Sequence, residues 1–85
     1  LIYKIQYTPA AAKQLSKLDK PVAKSILDYM KSIAENPTSF GKALRKELKG
    51  YWRHRVGDYR VISSIEQDKL IVLVVRIGHR REIYS

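Results

Sequence analysis

At 85 residues, 45% of them apolar, the chain is sized for one small domain with a marginal core, and it is too apolar for disorder. Seventeen Lys and Arg against eight Asp and Glu give a formal charge of +9, which favours anionic partners: nucleic acid, an acidic protein or a membrane surface. The absence of cysteine excludes disulfides and thiolate metal sites. The lack of cysteine fits the cytosol, so a cytoplasmic protein is expected; the sequence shows no apolar run of about 18 residues and no signal-peptide pattern.

Residues 1–7 alternate Leu1, Tyr3, Ile5 and Tyr7 against Ile2, Lys4 and Gln6, which predicts a half-buried strand. Thr8-Pro9 supplies an N-cap and a proline at the first helical position, and Ala11, Leu15 and Leu18 carry a short helix to about Leu18. Asp19 caps a second helix with Pro21 just inside it. Its apolar stripe is Val22, Ile26, Tyr29, Met30 and Ile33, and Asn36-Pro37 ends it. Residues 38–50 form a basic connection bracketed by Gly41 and Gly50. A helical turn is possible at Leu44–Leu48, and Phe40 is expected to anchor the segment to the core.

The next two strands, Tyr51–Val56 and Tyr59–Ile65, flank Gly57-Asp58, read as a two-residue type II′ turn. A turn near Gln67-Asp68 leads to Leu70–Ile77, apolar on both faces and so a buried strand that Gly78 breaks. The expected fold is α+β in the order β-α-α-β-β-β. An N-terminal helical hairpin packs on a mainly antiparallel four-stranded sheet, in a single domain over 1–85. The sequence ends at Ser85, so no helix is expected after the tail.

All seven arginines lie at position 45 or beyond, whereas the first forty residues use only lysine. Arginine offers a planar fork matched to phosphate; lysine is a hydrated point charge. Strand alternation puts Arg53 and Arg55 on one face, and the turn sets Arg60 opposite Arg55. Like charges paired across strands destabilise by up to about 1 kcal/mol. The arginines read either as a solvated sheet face or as a surface awaiting a polyanion, and their spacing favours the second. Arg76 is open to either face, because one residue of register decides it.

Two histidines and no cysteine, with no acidic cluster at ligand spacing, make a metal site improbable; a nuclease built here works without metal. His54 alternates with the arginines and points with Trp52, Val56, Tyr59 and Val61 toward the core. His79 stands open between packing and proton transfer. Tyr84 is either a packing aromatic or a base whose proton is loosened by Arg80 and Arg81.

The stretch Leu48–Ile62, centred on Tyr51-Trp-Arg-His-Arg-Val-Gly-Asp-Tyr-Arg60, resembles the RelE/ParE toxin superfamily of type II toxin–antitoxin systems, closest to its RelE branch. So does Ile77-Gly-His-Arg-Arg-Glu-Ile-Tyr84. The resemblance covers the whole chain, including the order of elements and Asn36-Pro37. It implies a ribosome-dependent endoribonuclease that cuts mRNA in the A site and halts translation. The 2′-OH attacks the adjacent phosphate and leaves a 2′,3′-cyclic phosphate. Carried over residue by residue, Arg53, Arg55 and Arg60 stabilise charge, Arg80 is the general acid and Tyr84 the general base, with His79 an alternative acid or base. Lys42, Arg45, Lys46, Lys49 and Arg81 are expected to contact RNA.

Two departures stand out. RelE itself has lysines where this chain has Arg53 and Arg55, and the glutamate base that some relatives carry before the hairpin has no counterpart in Gly41-Lys42-Ala43-Leu44. Expected partners are a cognate antitoxin protein, the ribosome and mRNA, with no membrane and no cofactor. The alternatives are a ParE-like toxin that inhibits DNA gyrase by binding, without ribonuclease activity, and a non-catalytic basic module.

Overall fold

The computed structural model describes residues 1–83. Strand β1 (Lys4–Tyr7) leads into α1 (Pro9–Ser16) and α2 (Lys20–Ser32). Then follow β2 (Lys42–Ala43), β3 (Trp52–Val56), β4 (Tyr59–Glu66) and β5 (Ile71–His79). Among the described residues these strands form one sheet in the order β1-β5-β4-β3-β2, with β1 parallel to β5 and the other pairings antiparallel. The α+β architecture is the expected one. The fifth strand, β2, is an addition: two residues inside the basic connection are too short to show any alternation.

Local chemistry explains the helices. Thr8 Oγ1 accepts from the Ala11 N–H at 3.1 Å, the bond expected of an N-cap. Asp19 occupies the cap position of α2, but its side chain caps nothing. Helix α2 ends at Ser32, a turn before Asn36-Pro37: the Ala34 and Asn36 N–H groups donate three residues back, to the Lys31 and Ile33 carbonyls, instead of four, and the Ala34 carbonyl accepts from the Tyr3 N–H at 2.9 Å. Pro37 opens a separate 3₁₀ turn, Pro37–Ser39.

Both helices lie on one sheet face. Ala11, Ile26, Met30 and Ile33 bury against Val61, Val72, Val74 and Ile77, flanked by Tyr3, Ile5 and Tyr7 of the first segment. Each fully buried aliphatic side chain contributes about 1.5–3 kcal/mol. Leu1 and Ile2 lie outside this core, 97% and 67% exposed, because β1 begins only at Lys4. No helix among the described residues is long and apolar enough to cross a membrane.

Three expectations are corrected. Phe40 is 49% exposed and anchors nothing by its ring; the core-facing residue of that segment is Pro37. Leu70 belongs to the turn, not the strand, at φ +54°, with its carbonyl accepting from Lys4 N–H at 2.8 Å. Gly78 does not break β5. It pairs opposite Arg60, and its missing side chain makes room for the returning tail, since a Cβ there would lie 3.1 Å from Ile83 Cδ1.

Candidate nucleic-acid interface

The β3–β4 hairpin turns at Gly57, φ +59°, while Asp58 keeps a negative φ, as a type II′ turn requires. The register follows: Val56 opposite Tyr59, Arg55 opposite Arg60, His54 opposite Val61 and Arg53 opposite Ile62. Strand β5 extends the rows, with Gly78 opposite Arg60 and Arg76 opposite Ile62; β2 adds Lys42 opposite Arg53. Two rows therefore cross the face away from the helices. One reads Arg55, Arg60, Gly78. The other reads Lys42, Arg53, Ile62, Arg76.

Arg76 joins this face through a bulge. The β4–β5 register shifts between Ile62 and Ser63, so Ser63 pairs with Val74 but Ile62 with Arg76, and Val75 is the extra residue. Without it Arg76 would oppose Val61 and face the helices. Gln14 Oε1 of α1 accepts from the Ile77 N–H at 2.7 Å just past the bulge, on the β5 edge that β1 no longer covers.

Several of these cations make contacts among the described residues. Arg60 Nη1 donates to the carbonyls of Gly57 at 3.1 Å and Tyr59 at 3.0 Å, which folds the side chain back on its own turn. Arg76 Nη1 donates to the Ile83 carbonyl at 3.1 Å. Arg80 is anchored at the hairpin turn: its N–H donates to the Asp58 carbonyl at 2.8 Å, and its Nε lies 3.8 Å from Asp58 Oδ1. Both side chains of that ion pair are half exposed, so it is worth about 0–1 kcal/mol. Arg53 is partly buried and its Nε has no partner among the described residues.

A small apolar cluster sits in the middle of the arginine face. Ile62 is 1% exposed, and Leu48, Tyr51, Val75 and Arg76 line a cavity of about 190 Å³ against it. Ile83, 3% exposed, covers Gly78. The connection before β3 and the tail after β5 thus partly roof the face and leave the cations at its margins.

The remaining candidates are dispersed. Arg45, Lys46 and Lys49 are exposed on the connection before β3, with Lys46 in the left-handed region at φ +57° inside the 3₁₀ turn Lys46–Leu48. Arg81 is exposed, and its N–H donates to His79 Nδ1 at 3.2 Å. His79 pairs opposite Tyr59 on the helix-covered face, with its ring edge-on to that tyrosine at 5.5 Å. It is on the other side of the sheet from Arg53, Arg55 and Arg60. Tyr84 lies outside the described residues.

His54 is fully buried, as its alternation with the arginines suggests, and its Nε2 bonds the Pro37 carbonyl at 2.8 Å. Burial holds its pKa below the ordinary histidine range, opposed by bonds to the Pro37 and Phe40 carbonyls. Trp52 Nε1 donates to the Phe40 carbonyl at 2.7 Å. These two side chains flank Arg53 and staple residues 37–40 to β3. The alternation pattern gives their direction but no hint of their partners.

The fold is shared with known proteins. A family model described as the ParE toxin of a type II toxin–antitoxin system matches residues 5–84. The chain belongs to this toxin family. Toxin RelG of Mycobacterium tuberculosis is 30% identical over 83 residues, covering 96% of this chain and 95% of that protein. Toxin RelE of the same organism is 31% identical over 83 residues, covering 96% and 86%. The toxin–antitoxin complex RelBE2 from M. tuberculosis contains a chain that superposes with a TM-score of 0.88 at 28% identity, covering 94% of this chain and all of that one. The isolated Escherichia coli RelE toxin has the same fold, at a TM-score of 0.78 and 23% identity, covering 98% and 92%. As a toxin of the RelE/ParE superfamily, the chain keeps the sheet of its relatives.

Proposed function

We propose that this toxin is a metal-independent endoribonuclease that cuts mRNA in the ribosomal A site and arrests translation in the cytoplasm. The reading rests on the direct opposition of Arg55 and Arg60, extended by Arg53 and Lys42 across one sheet face. A phosphodiester attacked by its neighbouring 2′-OH passes through a phosphorane with extra negative charge. Guanidinium groups gathered on one face of the sheet offset that charge electrostatically. Arg53, Arg55 and Arg60 take this part. Arg80, whose N–H and Nε contact Asp58 at the turn, would give the leaving 5′-oxygen its proton.

Arginine is a poor proton donor, because its guanidinium holds its proton far more tightly than an ordinary general acid. Proton transfer is therefore the weak part of the chemistry, and holding the 2′-OH in line with its phosphate supplies much of the acceleration. That division of labour suits an enzyme needing the ribosome to position its substrate. Tyr84 takes the role of base. His79 is the poorer candidate for acid, because it faces the helices. Arg45, Lys46, Lys49 and Arg81 would contact RNA around the cut. A cognate antitoxin neutralises the toxin, and a chain of charge +9 suits an acidic segment of such a partner.

The match to a model of ParE toxins favours a second reading, a gyrase inhibitor that acts by binding. In vitro translation followed by primer extension separates the two. Cuts at fixed codon positions, lost in Arg60→Ala, are expected. Intact mRNA together with inhibited DNA supercoiling would establish the second reading instead.

A further inference from the structure

We propose that the notch at the free edge of β3 is a subsite for one unpaired nucleotide flanking the cut, an assignment that rests on the ribonuclease reading above. The notch arises because β2 stops at Lys42. The next residue toward the N-terminus, Gly41, has φ +74°, and a Cβ on it would overlap the Arg53 carbonyl oxygen. Only glycine permits this close turn, and the chain then leaves the sheet plane, where Trp52 and His54 hold it by the carbonyls of Phe40 and Pro37. Past Arg53 the outer edge of β3 has no neighbouring strand among the described residues.

The hairpin register decides what faces that gap. In a two-residue hairpin Val56 and Tyr59 form the hydrogen-bonded pair, so Arg55 and Arg60 form the next, non-hydrogen-bonded pair. The Arg55 N–H and C=O therefore point away from β4, into the notch. A space of about 240 Å³ is lined there by Tyr29, Gly41, Lys42, Arg53 and Arg55. Tyr29 comes from α2, half-buried and edge-on to His54, so a ring is fixed at the mouth of a cationic slot.

An aromatic ring beside three cations is the arrangement that binds single-stranded nucleic acid: the ring takes a base by stacking and the cations take its phosphate. The Arg53 Nε has no partner among the described residues, so no bond at that atom holds the guanidinium against turning to a ligand. One outward-facing pair of backbone groups is too short an edge for strand addition by a protein. A slot of this size admits one nucleotide and excludes a base-paired strand. RNA crossing the arginine face would leave over this edge, with its flanking base on Tyr29.

Anisotropy with a short, fully 2′-O-methylated RNA, which cannot be cut, tests the subsite. Tyr29→Leu should weaken binding about tenfold, within the range for losing one stacked base, while Tyr29→Phe should match the original chain. Wild-type affinity in Tyr29→Leu alongside loss in Arg60→Ala would overturn the subsite and leave the ribonuclease reading standing. Affinity unchanged by Arg55→Ala and Arg60→Ala would sink both. Should Tyr29→Leu fail to fold, crosslinking of 4-thiouridine RNA to the unmodified protein decides. Adducts on Tyr29 or Lys42 support the subsite, and adducts confined to residues 45–49 or the tail overturn it.

Discussion

Removing one guanidinium from the Arg55–Arg60 pair should stabilise the free toxin while disabling it. The two residues are direct cross-strand partners on the same face. Two unit charges about 6 Å apart repel by roughly 0.7 kcal/mol in water. This agrees with the penalty of up to about 1 kcal/mol for like charges opposed across strands. Arg55→Gln keeps much of the stem and removes the charge. It should stabilise by about 0.5–1 kcal/mol, raising Tm in low salt by about 2–8 °C. Near 1 M salt, where the screening length is about 3 Å, the gap should close. A saturating uncleavable RNA should reverse the order, because ligand at about 100 times Kd adds about 2.7 kcal/mol to the protein that binds it. Differential scanning fluorimetry across salt and ligand reads all three. A variant that melts lower than the original in low salt, or a gap indifferent to salt, would refute the idea that this face stores repulsion for a polyanion.

Other expectations concern the supports of the site. His54 has a folded pKa below its unfolded value, so the unfolded chain takes up the proton first. Stability is therefore complete above about pH 6.5 and falls as pH drops below it, at up to about 1.4 kcal/mol per pH unit. Urea unfolding between pH 5 and 7 should show a shallower slope in His54→Gln, and equal slopes would contradict the assignment. Gly41→Ala should cost about 2–4 kcal/mol, combining left-handed strain with overlap on the Arg53 carbonyl, and urea titration measures it. Lys46→Gly exchanges left-handed strain for chain entropy and should leave stability within about 0.5 kcal/mol. The same change should weaken ribosome co-sedimentation, whereas unchanged association would remove Lys46 from the interface.

The hairpin was legible in the sequence because a two-residue Gly-Asp turn leaves one register for the strands around it. Fixing Arg60 against Arg55 required nothing more. Arg76 was not legible, for the bulge at Ile62/Ser63 that turns it onto the arginine face has no local signature. Gly78 looked like a strand break because glycine usually punctuates, yet here it makes room for Ile83, a contact made by a chain reversal that alternation does not encode. Phe40 was the obvious apolar anchor of the basic connection. The segment is instead held through its backbone carbonyls by Trp52 and His54, and carbonyls leave no mark in a sequence. The residues of the notch show the same limit. Tyr29 looked like one more member of a helical stripe, and it meets Lys42 and Arg55 only because β2 is cut short.

The central claim is that the arginine face directs attack by a ribose 2′-OH on its own phosphodiester. One deoxyribose placed at the cleaved nucleotide of an mRNA programmed into ribosomes tests it most directly. The ribose message should be cut to a 2′,3′-cyclic phosphate and a 5′-OH, and the single deoxy substitution should abolish that cut. Continued cleavage of the deoxy message, or products ending in 3′-OH and 5′-phosphate, would contradict it.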